Sequence, residues 1–330
     1  MRVEKLAVFR GLYLGDLVAA TGALRALRLG YPEAEISLIS LPWATAFSPH
    51  LPYVDRLLTH PGAPGLDGGG DEENLEEFLA RMRAERFDLV VNMHGQGPTS
   101  TRLIVRFGAR MTAGFTGAGI AAPPLDVEVP WEAEVHESRK LLLLAEKLGG
   151  VSTSPEPELR VWEEDHRRAR ALLPPGLRKP LALVHPGASV PEKRWKEEAF
   201  GRVAKGLLRR GYTVAVTGGS GEKGLTRRVA GLAPGVLDLG GRTDLSTLVA
   251  LVARADVVVS NDTGPAHLAY ASKTPSVTLF GPSTDMRRWG PLVRGRHAVL
   301  FGDPISEVTA EAVLRRIEAL GVGGQERLGA

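Results

Sequence analysis

The stretch Val257-Val258-Val259-Ser260-Asn261-Asp262-Thr263-Gly264-Pro265-Ala266-His267-Leu268-Ala269 runs from a hydrophobic strand into Asp-Thr-Gly, and a helix opens at once. The free N–H groups and positive dipole end of such a helix suit a diphosphate. Gly264 lets a ligand approach the backbone closely. A plain helix start uses the same residues differently: Asp262 as N-cap, Pro265 in the first turn and His267 packed in the core. That alternative accounts for the Asp and the Pro but not for the whole string.

Outward from this stretch, strand and helix alternate along the chain. Strands are expected at Lys5 to Arg10, Glu35 to Ser40, Arg86 to Asn92, Leu181 to Val184, Tyr212 to Val216, Val236 to Leu239, Asp256 to Ser260 and Ser276 to Phe280. Helices are expected near Asp16 to Leu29, Glu134 to Leu148, Glu163 to Leu172, Glu197 to Arg210, Lys223 to Gly231, Leu245 to Arg254, Pro265 to Ala271 and Ser306 to Leu320. Such alternation implies parallel sheets covered on both faces. Pro155, Pro157, Pro174, Pro175 and Pro180 bracket a short strand and a helix, and this stretch reads as an interdomain connection. The expectation is an α/β protein of two Rossmann-like domains with a cleft between them, residues 1–165 and 166–330, the last helix packing back across the junction. Residues 66–74, LDGGGDEEN, read as a mobile surface loop.

Composition narrows the function. Of 330 residues, 43% are hydrophobic and 24% charged, and the net charge is +3, ordinary values for a globular protein of about two domains. No Lys/Arg run marks nucleic-acid binding. No apolar stretch suffices for a membrane span, and the N-terminus is too charged for a signal-peptide core, so a cytoplasmic location is expected. The absence of cysteine excludes disulfides, thiol nucleophiles and Cys-ligated zinc. Neither HExxH nor a DxD pair occurs. Gly218 to Gly224 lacks the Gly-Lys-Ser/Thr ending of a P-loop, and Gly117 to Ala122 runs into Pro123 and Pro124 rather than a helix.

Three further loops follow expected strands. His185-Pro186-Gly187-Ala188-Ser189 leads to Glu192-Lys193-Arg194-Trp195-Lys196. Lys193 there can neutralise a phosphate, with Trp195 as anchor, or the segment is a solvated basic turn. In Thr217-Gly218-Gly219-Ser220-Gly221-Glu222, Glu222 can accept from ribose hydroxyls or serve as a helix-dipole acid. In Leu14-Gly15-Asp16-Leu17-Val18-Ala19-Ala20-Thr21, Asp16 opens a helix as a general base facing the cleft or as an N-cap.

Together these strings resemble glycosyltransferase family 9, known for ADP-heptose:lipopolysaccharide heptosyltransferases. The matching segments are LGDLVAAT (Leu14–Thr21), HPGAS and EKRW (His185–Trp195), the glycine loop ending at Glu222, and SNDTGPAHLA (Ser260–Ala269). They span nearly the whole chain in the family's order. The resemblance implies a GT-B fold, acceptor in the first domain and nucleotide-sugar in the second. It implies inversion by single displacement without a metal or other cofactor. Asp16 would take the acceptor hydroxyl's proton, Lys193 would hold the donor phosphate and Glu222 the ribose. Asp262, Thr263, Gly264 and His267 would line the diphosphate and sugar pocket. Thr243 would lie near the base, in a loop where family members often carry methionine, and Ser189 falls where heptosyltransferases commonly place a threonine. The implied partners are ADP-heptose and a glycolipid acceptor of the lipopolysaccharide inner core at the inner membrane surface. Another donor or acceptor, a nucleotide-sugar epimerase and a non-catalytic nucleotide-sugar binder are the alternatives.

Overall fold

The computed structural model describes residues 2–66, 69, 72–117, 119, 121–151, 154–177 and 180–322. Asp67, Gly68, Gly70 and Asp71 of the 66–74 stretch, together with Ala118 and Ile120, lie outside the described residues, and Glu72 to Asn74 are helical rather than loop. The chain divides into two compact units, Met1–Arg160 and Val161–Ala330.

The first unit contains β1 (Lys5–Phe9), α1 (Leu14–Gly30), β2 (Glu35–Ser40), β3 (Arg56–Thr59), α2 (Glu72–Glu85), β4 (Leu89–Asn92), α3 (Pro98–Val105), β5 (Met111–Thr116), β6 (Val127–Pro130) and α4 (Glu137–Lys147). Its sheet is parallel in the order β3-β2-β1-β4-β5-β6. Phe9, Phe78, Leu79, Phe87, Val90 and Phe107 form much of one core layer. On the other side, α1 packs along α4.

The second unit contains α5 (Glu163–Ala171), β7 (Leu181–His185), α6 (Glu197–Arg209), β8 (Thr213–Val216), α7 (Lys223–Gly231), β9 (Leu237–Asp238), α8 (Leu245–Arg254), β10 (Val257–Asn261), α9 (Gly264–Ala271), β11 (Ser276–Phe280), α10 (Met286–Trp289), β12 (His297–Phe301) and α11 (Ala310–Ala319). Its sheet is parallel in the order β12-β11-β10-β7-β8-β9. Counted from its own first strand this repeats the order of the first unit, the order of dinucleotide-binding folds.

Local sequence explains the layers. Every residue of β7, β10 and β11 is buried, because helices cover both faces, and their apolar runs are accordingly continuous. Helix α6 turns Phe200, Val203, Ala204 and Leu207 inward, at helical spacing, and packs against α7 and α11. Helix α11 packs on α6, β11 and β12 of its own unit. Among the described residues no helix is long and apolar enough to cross a membrane.

The strand expected between Pro155 and Pro180 is not formed among the described residues, where α5 is the regular element. Strands β3, β5, β6 and β12 and helices α2, α3 and α10 add to the elements read from sequence. β3, β6 and β12 are edge strands with half-exposed residues, so they lack the apolar run that marks a central strand, whereas in the interior strand β5 that run is interrupted by Thr112, Gly114 and Thr116.

Candidate functional site

In each sheet the first and fourth strands of the unit lie side by side, β1 with β4 and β7 with β10. Ligands of such sheets bind beyond the strands' carboxyl ends at this switch in direction. The quoted loops start there or on the neighbouring strands.

In the second unit, Asp262 follows β10 and is buried. Its Oδ2 accepts a hydrogen bond from Lys193 Nζ at 2.8 Å, and its Oδ1 lies 3.7 Å from His267 Nε2. Burial opposes the charge on Asp262, but His267 and then Lys193 outweigh it and hold the carboxyl at about 2. Asp262 is therefore not the helix cap. The N-cap of α9 is Thr263, in extended backbone, with no side-chain hydrogen bond to the helix end. Gly264 and Pro265 follow as the first helical residues, and Pro265 has no N–H to satisfy. The start of α9 thus keeps its donor character beside a lysine whose own charge is balanced. His267, half-buried, meets the edges of Tyr270 and Trp289 at centroid distances of 5.5 and 5.9 Å.

Asn261, wholly buried, joins this group to the β7 loop. Its Nδ2 donates to the carbonyls of Pro186 and Gly187 at 2.9 and 3.1 Å, and its Oδ1 accepts the Trp195 N–H at 3.1 Å. Trp195 is buried and donates through Nε1 to the Val308 carbonyl, which anchors the segment carrying Lys193. Arg194 clamps the Ala188 carbonyl through Nε and Nη2.

Glu222 lies over the same loop. Its Oε2 accepts the Gly219 N–H at 2.7 Å, and a Cβ on Gly187 would stand 2.0 Å from its Oε1. The absent side chain at 187 is thus what admits the carboxylate. His185, beneath it, has Nδ1 3.1 Å from Thr217 Oγ1 and Nε2 3.9 Å from Glu222 Oε2. Burial pushes the His185 imidazole down, against the opposing pull of Glu222. The Gly241 N–H donates to the Gly218 carbonyl at 2.8 Å, tying the loop that carries Thr243 to the Glu222 loop. Gly241 has φ of 65°, in the left-handed region, and the Lys223 chain occupies the space of a side chain there.

Lys193, Glu222, Asp262, Thr263, Gly264 and His267 therefore belong to one linked set of loops. Thr243 stands half-buried at its margin. Ser189 is exposed, and among the described residues no hydrogen bond engages its hydroxyl. Among the described residues no group of three or more His, Asp and Glu side chains is arranged to hold a metal ion.

Asp16 lies in the first unit, after β1. It does not open its helix: α1 begins at Leu14 with Tyr13 as N-cap, and Asp16 is the third helical residue. Its Oδ2 accepts the Tyr13 N–H at 3.3 Å, and its Oδ1 is 3.3 Å from Arg10 Nη2. Arg10 has no exposed surface. Its Nε donates to the Asp16 carbonyl at 2.7 Å, Nη1 to the Met93 carbonyl, and Nη2 also to Glu137 Oε1 at 3.1 Å. Lys140 Nζ is 3.5 Å from Glu137 Oε2 and 3.8 Å from the centre of the Trp131 ring.

The profile of glycosyltransferase family 9 (heptosyltransferase) matches residues 76–308, well over half of the chain. The chain belongs to this family. Lipopolysaccharide heptosyltransferase 2 of Escherichia coli K12 is 25% identical over 96% of this chain and 98% of its own. Lipopolysaccharide heptosyltransferase 3 of the same strain is 28% identical over 84% and 83%. Among solved structures, a family-9 glycosyltransferase from Veillonella parvula shares the fold at a TM-score of 0.83, with 22% identity over 97% of this chain and 98% of that one. An Escherichia coli heptosyltransferase with ADP gives 0.77, with 20% identity over 95% and 99%. The protein is thus a glycosyltransferase with the paired Rossmann-like architecture of the GT-B class.

Within this family-9 chain several site residues carried no role in the sequence reading. Asn261 stood in the quoted string, and only its burial and three hydrogen bonds disclose its function as a tie. Arg10 was readable as a lone charge ending an apolar strand. Glu137 and Lys140 were readable from helical phase, since they share the buried face of α4 with Leu141 and Leu144. Trp289 follows β11 by way of Gly281-Pro282-Ser283-Thr284-Asp285, where Asp285 caps α10, and that segment carried no role in the sequence reading.

Proposed function

We propose that this glycosyltransferase moves a heptose from ADP-heptose to an inner-core lipopolysaccharide acceptor, with inversion, in one displacement. The donor binds the second unit and the acceptor the first, where Asp16 serves as base. The observation that carries the reading is the group Lys193, Asp262 and His267 at the uncapped start of α9. The printed names of the relatives, lipopolysaccharide heptosyltransferases 2 and 3, support the sugar and the acceptor class. ADP as the nucleotide is supported by the Escherichia coli structure described with ADP.

In this scheme the acceptor oxygen attacks the anomeric carbon as the bond from that carbon to the phosphate oxygen breaks. ADP leaves with the bonding electrons, and the hydroxyl proton passes to the Asp16 carboxylate. The leaving diphosphate gathers negative charge, which Lys193 and the start of α9 offset. Asp262 does not face the diphosphate as a bare anion, because Lys193 neutralises it at 2.8 Å. It orients Lys193 and His267 instead. Glu222, held over Gly187, accepts from ribose hydroxyls, and Thr243, Thr263 and Gly264 border the nucleotide. Ser189 offers its exposed hydroxyl to a phosphate. With positive potential supplied by side chain and helix end, turnover persists in EDTA. A glycolipid acceptor places the enzyme peripherally at the inner membrane surface.

A donor panel of ADP-, UDP- and GDP-sugars, with mass-spectrometric detection of released nucleotide, tests the donor assignment. Release from ADP-heptose well above the others is expected. Release from a different nucleotide-sugar would replace the donor named here.

A further inference from the structure

Arg10, Asp16, Glu137 and Lys140 meet at the carboxyl end of β1. The side chains of Arg10, Glu137 and Lys140 are 0%, 3% and 2% exposed, while that of Asp16 is 17% exposed. The four formal charges cancel. As a stabilising device such a cluster is a poor choice, since apolar side chains of similar volume often serve a core as well or better. Its geometry has a direction instead. Arg10 grips both the backbone carbonyl and the carboxylate of Asp16, and its Nη2 is divided between Asp16 Oδ1 and Glu137 Oε1. The contacts of the Asp16 carboxylate with Arg10 Nη2 and the Tyr13 N–H are long, at 3.3 Å. An arginine paired with Asp16 alone would stabilise the carboxylate strongly and weaken it as a base. Glu137 draws on the same guanidinium nitrogen and moderates that effect.

We propose that Arg10 and Glu137 are a positioning pair for Asp16: Arg10 fixes the direction of the carboxylate, and Glu137 keeps Arg10 from suppressing its basicity. The inference rests on the reading of Asp16 as the base. Lys140, held over Trp131, balances Glu137 from α4. From the β4 side the facing titratable group is His94, whose Nδ1 accepts the Gly11 N–H at 3.3 Å and whose ring stacks on Phe9. Burial, then the positive fields of Arg10 and His60, push His94 down to about 4, which favours its neutral form at pH 7.

The test combines ¹³C-carboxyl NMR titration of Asp16 in the full chain with the pH profile of kcat for transfer from ADP-heptose. Glu137→Gln removes the competing anion. It is expected to lower the Asp16 midpoint by about one pH unit, move the acid limb of kcat with it, and slow the plateau by up to about tenfold, with donor KM unchanged. Arg10→Gln is expected to move the midpoint upward and to slow turnover through loss of alignment, and Arg10→Lys to restore part of both. A purely structural cluster would lower the melting temperature and leave the acid limb of kcat in place. Wild-type midpoint and limb in Glu137→Gln would overturn the proposal, and that variant decides alone if the Arg10 variants do not fold. Asp16→Asn separates the two readings. If it abolishes turnover while Glu137→Gln leaves the midpoint unmoved, the pair fails and the base stands. If Asp16→Asn turns over like wild type, the base reading fails and the positioning role with it.

Discussion

Lys193 Nζ and Asp262 Oδ2 stand 2.8 Å apart, on two loops that leave neighbouring strands of one sheet. Asp262 is buried while Lys193 keeps part of its surface in solvent. The carboxylate thus has a fixed partner, and the lysine has a free side for a second anion.

Lys193→Ala should therefore do two separable things. ADP affinity should fall by about 1.5–3 kcal/mol, the value of a charge-assisted contact, or roughly 10- to 100-fold. Thermal stability should also fall, because Asp262 is left buried with less compensation. Adding Asp262→Asn should recover much of the stability and none of the ADP affinity. Calorimetric titration with ADP and thermal melts of the wild type and the two variants read both. Wild-type ADP affinity in Lys193→Ala would remove the phosphate role.

Gly187→Ala probes the Glu222 carboxylate. The new Cβ would meet Oε1 at 2.0 Å, and the flexible end of Glu222 is what must yield. The β7 backbone is not strained by the change, so the melting temperature should shift little. Nucleotide affinity should fall toward that of Glu222→Ala if the ribose is held there. Unchanged ADP affinity in both variants would assign Glu222 to bracing Gly219 alone.

Acid should destabilise the fold over a defined window. Burial pushes His60 and His297 down to about 4 from the usual 6.5, and His94 reaches the same value through burial together with Arg10 and His60. Between those limits the unfolded chain holds protons that the folded chain does not, so stability falls as pH falls through the window. Each group contributes a slope of up to about 1.4 kcal/mol per pH unit. Asp262, held at about 2 against an ordinary 3.8, extends the loss to lower pH in the same sense. Melting temperatures from pH 7.5 to 4.5 should drop steadily. His60→Asn, which keeps an acceptor for the Gly62 N–H, should flatten the slope; a pH-independent Tm in the wild type would contradict this account.

Much of the architecture was legible because it is written in local signals. The apolar runs of β10 and β11 are buried from end to end, and their bounds could be read within a residue. The bounds of β2, α7 and α8 follow their periodicity in the same way. The edge strands β3, β6 and β12 escaped notice because half-exposed short strands need no continuous apolar run, and the interior strand β5 because Thr112, Gly114 and Thr116 break its apolar residues. Site residues in glycine-acid loops were visible since those residue types are chosen for backbone reasons. Asp16 and Asp262 each allowed a second reading as a helix cap, but Tyr13 and Thr263 take those positions. Their carboxylates are instead held by cations, Arg10 and Lys193. Arg10 is six residues from Asp16 but Lys193 is sixty-nine from Asp262, and sequence spacing carries no trace of the second pairing.

The central claim is that Asp16 takes the acceptor's proton while ADP-heptose is bound through the second unit. Its most direct test is single-turnover transfer by wild type and Asp16→Asn, with ADP-heptose and a lipopolysaccharide inner-core glycolipid, read by mass spectrometry of the acceptor. Asparagine can still accept the Tyr13 N–H, and Arg10 keeps Glu137, so the variant should fold with at most a modest loss of stability. Wild type should add one heptose to the acceptor, and Asp16→Asn should be slower by about 10²–10⁴-fold with ADP affinity intact. Transfer by Asp16→Asn at close to the wild-type rate, or no heptose added by the wild type, would contradict the claim.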